Sequence, residues 1–166
     1  MNSIVAVDKK WGIGKNNDLL FRLPKDMEFF KRMTMGKVVV MGSNTLKSLP
    51  KGNPLKNRTN IVLYPGGEKR DDCTIVESLD ELFIELKKYN GEDIFIMGGA
   101  MFYKTMLPYC DKAYITKVDA DGDATVFYEN LDNLENWELK SVGESVETNG
   151  YNITFCTYEN KCVKTF

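Results

Sequence analysis

Short apolar, β-branched runs recur along the chain at Ile4–Val7, Val38–Met41, Asn60–Tyr64, Thr74–Val76, Ile94–Met97 and Ala113–Val118. Several are continuously apolar rather than alternating, which predicts strands buried on both faces. Helical periodicities lie between them at Pro24–Met33, Asn44–Leu49, Leu79–Lys88 and Ala100–Leu107. The third opens on the capping box Ser78-Leu79-Asp80-Glu81, and the fourth stops before Pro108. This alternation predicts an α/β fold: a doubly wound, mostly parallel central sheet with helices on both faces. The C-terminal stretches Trp137–Val146 and Tyr151–Tyr158 alternate more and flank the turn signal Asn149-Gly150, so they predict an antiparallel hairpin added to that sheet. There is no repeat and no low-complexity linker, and residues 1–166 are expected to form a single domain.

One polar position breaks the pattern. Wound at about 100° per residue, the helix starting at Pro24 puts Lys25, Glu28, Lys31 and Arg32 on one face. Leu23, Met27, Phe29, Phe30 and Met33 fall on the other, with Asp26 in their midst. A carboxylate there is costly unless something pairs with it, and no local cation shares the face. Two readings are open. Asp26 lines a pocket and awaits a ligand with cationic or N–H donor groups; or it is a first-turn acid that favours the helix dipole and caps free amides.

Composition narrows the chemistry. Hydrophobic residues make up 43% and charged residues 28% of the chain, as in a soluble globular protein. A net charge of −2 gives no electrostatic case for nucleic acid or an acidic membrane, and no apolar run approaches a membrane span. The N-terminal stretch has no basic region and is too short for a signal peptide. Cys73, Cys110, Cys156 and Cys162 show no C-x-x-C spacing and read as reduced thiols of a cytoplasmic protein. There is no histidine, which removes the commonest general base, every histidine triad and most zinc sites. Acid–base chemistry falls to a carboxylate, Lys, Tyr, Cys or water.

Three glycine turns stand out. Gly12-Ile13-Gly14-Lys15-Asn16-Asn17 follows the first strand but fails as a dinucleotide fingerprint, because Asn17 replaces the third glycine and no helix starts there. It reads as a flexible loop over a ligand, or as a plain surface turn. Met97-Gly98-Gly99-Ala100 ends a buried strand and opens a helix, where adjacent glycines let backbone approach a ligand and free N–H groups favour a phosphate. Met41-Gly42-Ser43-Asn44-Thr45 repeats the arrangement, with its hydroxyls and amide available either to cap the helix or to hold a second phosphate. Two such turns in one sheet suggest a ligand with a pyrophosphate. Asp119-Ala120-Asp121-Gly122-Asp123 fails as a calcium loop, its glycine falling two positions early and Asn130 standing at position twelve; it reads as a solvated turn, and no metal site is expected. Lys9-Lys10 and Lys87-Lys88 read as solvated charges.

Taken together, the motifs resemble dihydrofolate reductase over essentially the whole chain. The matches fall in family order: Ile4-Val5-Ala6-Val7, Gly12 to Leu19, Leu23-Pro24-Lys25-Asp26, Val39 to Thr45, Arg58 to Leu63, Ile96 to Tyr103, and Tyr114-Ile115-Thr116-Lys117-Val118. The resemblance implies reduction of 7,8-dihydrofolate by NADPH, with hydride delivered to C6 and a proton to N5. It implies that Asp26 binds the 2-amino group and N3 of the pteridine, with Thr116 bonded to that carboxylate. Ile4, Ala6, Met27, Phe30, Leu49, Leu55 and Met97 would wall the ring and the benzoyl group, and Arg58 would clamp the glutamate α-carboxylate. The Gly12–Leu19 loop would close over the nicotinamide, with Leu19 counted beside Asp26 and Thr116 in the catalytic set. Along the cofactor the resemblance places Ala6, Ile13, Gly14, Leu19, Gly42, Ser43, Asn44, Thr45, Leu63, Tyr64, Met97, Gly98, Gly99, Ala100, Met101, Phe102 and Tyr103. The expected partners are dihydrofolate and antifolate inhibitors, and the chain is expected to act as a monomer.

This sequence departs from the family in three places. Leu20-Phe21 stands where Pro-Trp is usual, and Phe21 has no indole N–H to donate. Ser43 stands where many members carry an arginine for the cofactor's 2′-phosphate. Tyr64-Pro65-Gly66-Gly67 replaces a loop rich in hydroxyls and arginine, leaving Lys69 and Arg70 either to reach that phosphate or to remain solvated loop charges. Two other functions compete: the pyrimidine reductase of riboflavin synthesis, which has no reason to keep Asp26 with Arg58, and a non-enzymatic flavin carrier, which predicts a Ser/Thr-rich loop where Asp8-Lys9-Lys10-Trp11 stands.

Overall fold

The computed structural model describes residues 1–16 and 18–166. The apolar runs form β1 (Asn2–Val7), β3 (Val38–Gly42), β4 (Thr59–Leu63), β5 (Thr74–Val76), β6 (Ile94–Ile96) and β7 (Lys112–Val118), after a short β2 (Gly12–Gly14) that follows β1. Among the described residues they align in parallel in the order β7-β1-β6-β3-β4-β5. The helices are α1 (Pro24–Thr34), α2 (Ser43–Ser48), α3 (Leu79–Leu86) and α4 (Ala100–Met106).

Successive residues of β3 point to opposite faces, and each face has its own core. Val38 and Val40 join Ile61, Val76, Leu82, Leu86, Phe102 and Met106 under α3 and α4. Val39 and Met41 join Leu46, Val62 and Ile75 under α2. The sheet is therefore covered on both sides, which is why its central strands are continuously apolar. On α3, Ser78 accepts a hydrogen bond from the Glu81 amide, the first half of the capping box. No described helix is long and apolar enough to cross a membrane.

The C-terminal end differs from expectation. The first arm is broken into β9 (Trp137–Val142) and β10 (Val146–Thr148), while the second is one long strand, β11 (Tyr151–Asn160). β10 pairs with the start of β11 across Asn149-Gly150, and β9 pairs with its end through a register shift at Thr157/Tyr158. Gly143 lies in the break, its amide bonded to the Phe155 carbonyl. β11 itself adds antiparallel to β7.

The glycine loop after β1 also differs. Gly12–Gly14 is not a free loop but pairs antiparallel with β8 (Val126–Phe127). Gly12 is required there, because a Cβ would stand 2.3 Å from that of Ala124. The buried Asp8 carboxylate accepts from the amides of Lys10, Gly12 and Gly122, tying the loop to the acidic turn. Lys9 and Lys10 pair with Asp119 and Asp121 across the same junction, so these exposed lysines meet specific partners rather than solvent alone. Asn17, the last residue of the glycine motif, lies outside the described residues.

Candidate active site

The site is built where α1 crosses the sheet face that carries the even-numbered side chains of β7. Ala113 and Ile115 point into the opposite core, so Thr116 faces α1. Its hydroxyl donates to Asp26 Oδ1 at 2.6 Å across 90 residues of chain. The N-cap residue Leu23 has no capping side chain; the Lys25 amide in the first turn of α1 donates instead to the Thr148 hydroxyl at 3.2 Å, and among the described residues no hydrogen bond ties Asp26 to the helix start. Among the described residues no cation lies within ion-pair distance of it. Burial raises its carboxyl above the usual range, and the Thr116 hydroxyl pulls it partly back.

α1 carries a rich apolar face yet buries only Thr34. Phe29, Phe30 and Met33 are half-buried and Met27 is 61% exposed. Apolar side chains left open around a carboxylate describe one wall of a cleft rather than a packing surface. Ile4 is buried, Ala6 half-buried, and Leu49, Leu55 and Met97 pack as partly buried residues on the core beneath α2. A neighbouring cavity of about 260 Å³ lies between Phe29, Met33, Tyr114 and Phe155; of the predicted substrate residues only Thr116 reaches it.

Arg58 stands at the far end of α1. Its Nε donates to Thr34 Oγ1 at 3.0 Å and its Nη1 to the Lys56 carbonyl, and the guanidinium lies 5.9 Å from the Phe30 ring centre. Thr34 in turn donates to the Phe30 carbonyl. Burial lowers the guanidinium's pKa, yet among the described residues no carboxylate pairs with it and Nη2 has no partner. A planar cation held on one edge and open on the other suits a carboxylate. Sequence reasoning missed Thr34; a threonine in the last turn of an exposed helix was its only trace.

The two glycine turns lie side by side. The Gly42 amide donates to the Gly98 carbonyl at 2.9 Å, and the Met97 amide to the Val40 carbonyl. Gly98 has φ of +124°, and a Cβ there would stand 3.3 Å from Thr45 Oγ1. Neither α2, which starts after Gly42, nor α4, which starts after Gly99, has a side-chain cap. Ser43, Asn44 and Thr45 therefore do not cap their helix, and the first-turn N–H groups of both helices remain available to an anion. Tyr103 is buried and donates to the Ile4 carbonyl at 2.7 Å, so its proton is committed to β1. Burial and the Asp26 charge together push its hydroxyl up. Ala100 is half-buried, Phe102 is buried, and Met101 is 79% exposed at the mouth of this turn.

Six further residues bear on the sequence expectations. Leu19 is 76% exposed and Ile13 half-buried on the β2 loop, with Gly14 in the strand. Phe21 packs on Tyr151 at 4.8 Å between ring centres, with Gly122 against its edge. Lys69 donates to the Ile75 carbonyl at 2.7 Å, and Arg70 is bidentate on Asp72 and bonded to the Gly52 carbonyl. Neither is a free loop charge.

A family model described as dihydrofolate reductase matches residues 1–160. The chain is 37% identical over 162 residues to dihydrofolate reductase of Bacillus subtilis (strain 168), covering 95% of this chain and 93% of that protein. It is 35% identical over 159 residues to dihydrofolate reductase of Staphylococcus haemolyticus, covering 94% and 93%. It is 32% identical over 160 residues to that of Haemophilus influenzae (strain ATCC 51907 / DSM 11121 / KW20 / Rd), covering 95% and 97%. Neither the pyrimidine reductase nor the flavin carrier is favoured.

Proposed function

The chain belongs to the dihydrofolate reductase family, an oxidoreductase family, and from that premise we propose that the cleft around Asp26 binds 7,8-dihydrofolate and reduces it to tetrahydrofolate with NADPH. The observation that carries the reading is the Asp26 carboxylate: set in an apolar cleft, bonded to Thr116, and without a protein cation. A ring edge that offers N–H donors satisfies it, and the 2-amino group and N3 of a pteridine do so.

Each group then has a task. Asp26 accepts from the pteridine and polarises the ring, favouring protonation at N5 by water. Thr116 fixes the carboxylate's orientation. Ile4, Ala6, Met27, Phe30, Leu49, Leu55 and Met97 hold the ring and the benzoyl group and exclude water. Arg58, braced by Thr34, takes the glutamate α-carboxylate.

The residues at the glycine turns fit a dinucleotide. Close backbone approach at Gly98 and Gly99, uncapped helix starts at Gly42 and Gly99, and the Thr45 hydroxyl between them suit a pyrophosphate. When bound, the cofactor supplies the hydride. Leu19, Ile13 and Gly14 would cover the nicotinamide, with Tyr103 behind it; Ala100, Met101, Phe102, Leu63 and Tyr64 would line the rest of the groove. Residues 1–166 would work as one unit, as a monomer in the cytoplasm. The test is direct: absorbance of reduced nicotinamide should fall when dihydrofolate is added to the protein with NADPH, and no fall would reject the reading.

A further inference from the structure

We propose that Lys47, seated on the ring of Tyr64, is the cation that binds the cofactor's 2′-phosphate in this chain and sets its preference for the phosphorylated dinucleotide. The inference rests on the cofactor reading above and names the residue that reading leaves open.

Ser43 offers only a neutral hydroxyl. Lys69 and Arg70, the other basic residues near the end of β4, are turned to the Ile75 carbonyl and to Asp72 with Gly52. An arginine already bidentate on a carboxylate would have to break that pair to meet a phosphate.

Lys47 is differently placed. β3 and β4 run parallel with Gly42 opposite Leu63, so Ser43 and Tyr64 are the next residues out of the sheet on adjacent strands. Lys47 follows Ser43 by four positions in α2, which puts it on the same helix face about 6 Å along the axis. Its Nζ lies 4.8 Å from the Tyr64 ring centre, and among the described residues no carboxylate is within ion-pair distance of it. The hydroxyl, the ammonium and the ring thus share one corner of the carboxyl edge, beside the glycine turns. A ring restrains an ammonium without using its three N–H donors, and a phosphate monoester bears nearly two negative charges at neutral pH.

Calorimetric titration of the full chain with adenosine 2′,5′-bisphosphate and with adenosine 5′-monophosphate tests this without turnover. Lys47→Gln should weaken the bisphosphate about tenfold or more, leave the monophosphate unchanged, and flatten the salt dependence of bisphosphate binding. Lys47→Arg should retain the preference, and Tyr64→Leu should lose part of it. If Lys47→Gln binds both ligands as the parent does, with discrimination intact, another group holds the phosphate and the assignment is wrong. If the parent itself does not distinguish the two, the NADPH reading falls and the assignment with it.

Discussion

The Thr116 hydroxyl donates to Asp26 Oδ1 at 2.6 Å, joining the middle of β7 to the first turn of α1. The bond favours the charged carboxylate, against the burial that disfavours it. Thr116→Val keeps the β-branched shape and removes the donor, worth about 1.5–3 kcal/mol to a charged acceptor. The apparent pKa in the kcat/KM profile, which reports the free enzyme, should move up. An unmoved profile would show that Thr116 does not tune this acid.

Stability should carry the opposite signature from activity. The folded pKa of Asp26 lies above its unfolded value of about 3.8. The contribution of Asp26 to ligand-free stability is therefore fully present below that value and is lost as pH rises through the folded pKa. Asparagine does not titrate. The Tm of Asp26→Asn relative to the parent should rise from about pH 4 towards neutrality and be flat below. Thermal unfolding without ligand, scanned over pH, checks this.

Arg58→Leu should weaken dihydrofolate by about 1.5–3 kcal/mol, the worth of a charge-assisted contact. A dihydropterin without the glutamate tail should be barely affected. Thr34→Val should weaken dihydrofolate less, because the guanidinium loses a brace and keeps its charge. Competitive binding of the two ligands separates these cases; equal weakening of both by Arg58→Leu would remove the tail from Arg58.

Gly98→Ala places a Cβ 3.3 Å from Thr45 Oγ1 at a φ of +124°. Strain of that kind costs on the order of 1–3 kcal/mol. We expect a lower Tm and weaker NADPH binding by fluorescence titration, with dihydrofolate binding little changed.

The central sheet was legible in sequence because its strands are buried on both faces and so read as unbroken apolar runs. Asp26 was legible for the converse reason: a charge on an apolar stripe conflicts with local burial. Other features leave no such trace. β2 and β8 are three and two residues long, too short for a period, and their pairing is set by Asp8 and the turn at Gly122. The C-terminal arm splits between Val142 and Val146, where the Gly143 amide bonds the Phe155 carbonyl, a break that alternation does not reveal. The Thr34–Arg58 and Lys47–Tyr64 contacts join residues 24 and 17 positions apart through tertiary packing, and Lys69 and Arg70 were ambiguous until their partners were seen.

The most direct test is the kcat/KM of Asp26→Asn for dihydrofolate with NADPH across pH. If Asp26 holds and polarises the pteridine, activity at neutral pH should fall about 10²-fold or more. It should recover in part as pH falls and solvent protonates N5 unaided. Parent-like kcat/KM at neutral pH would contradict the account.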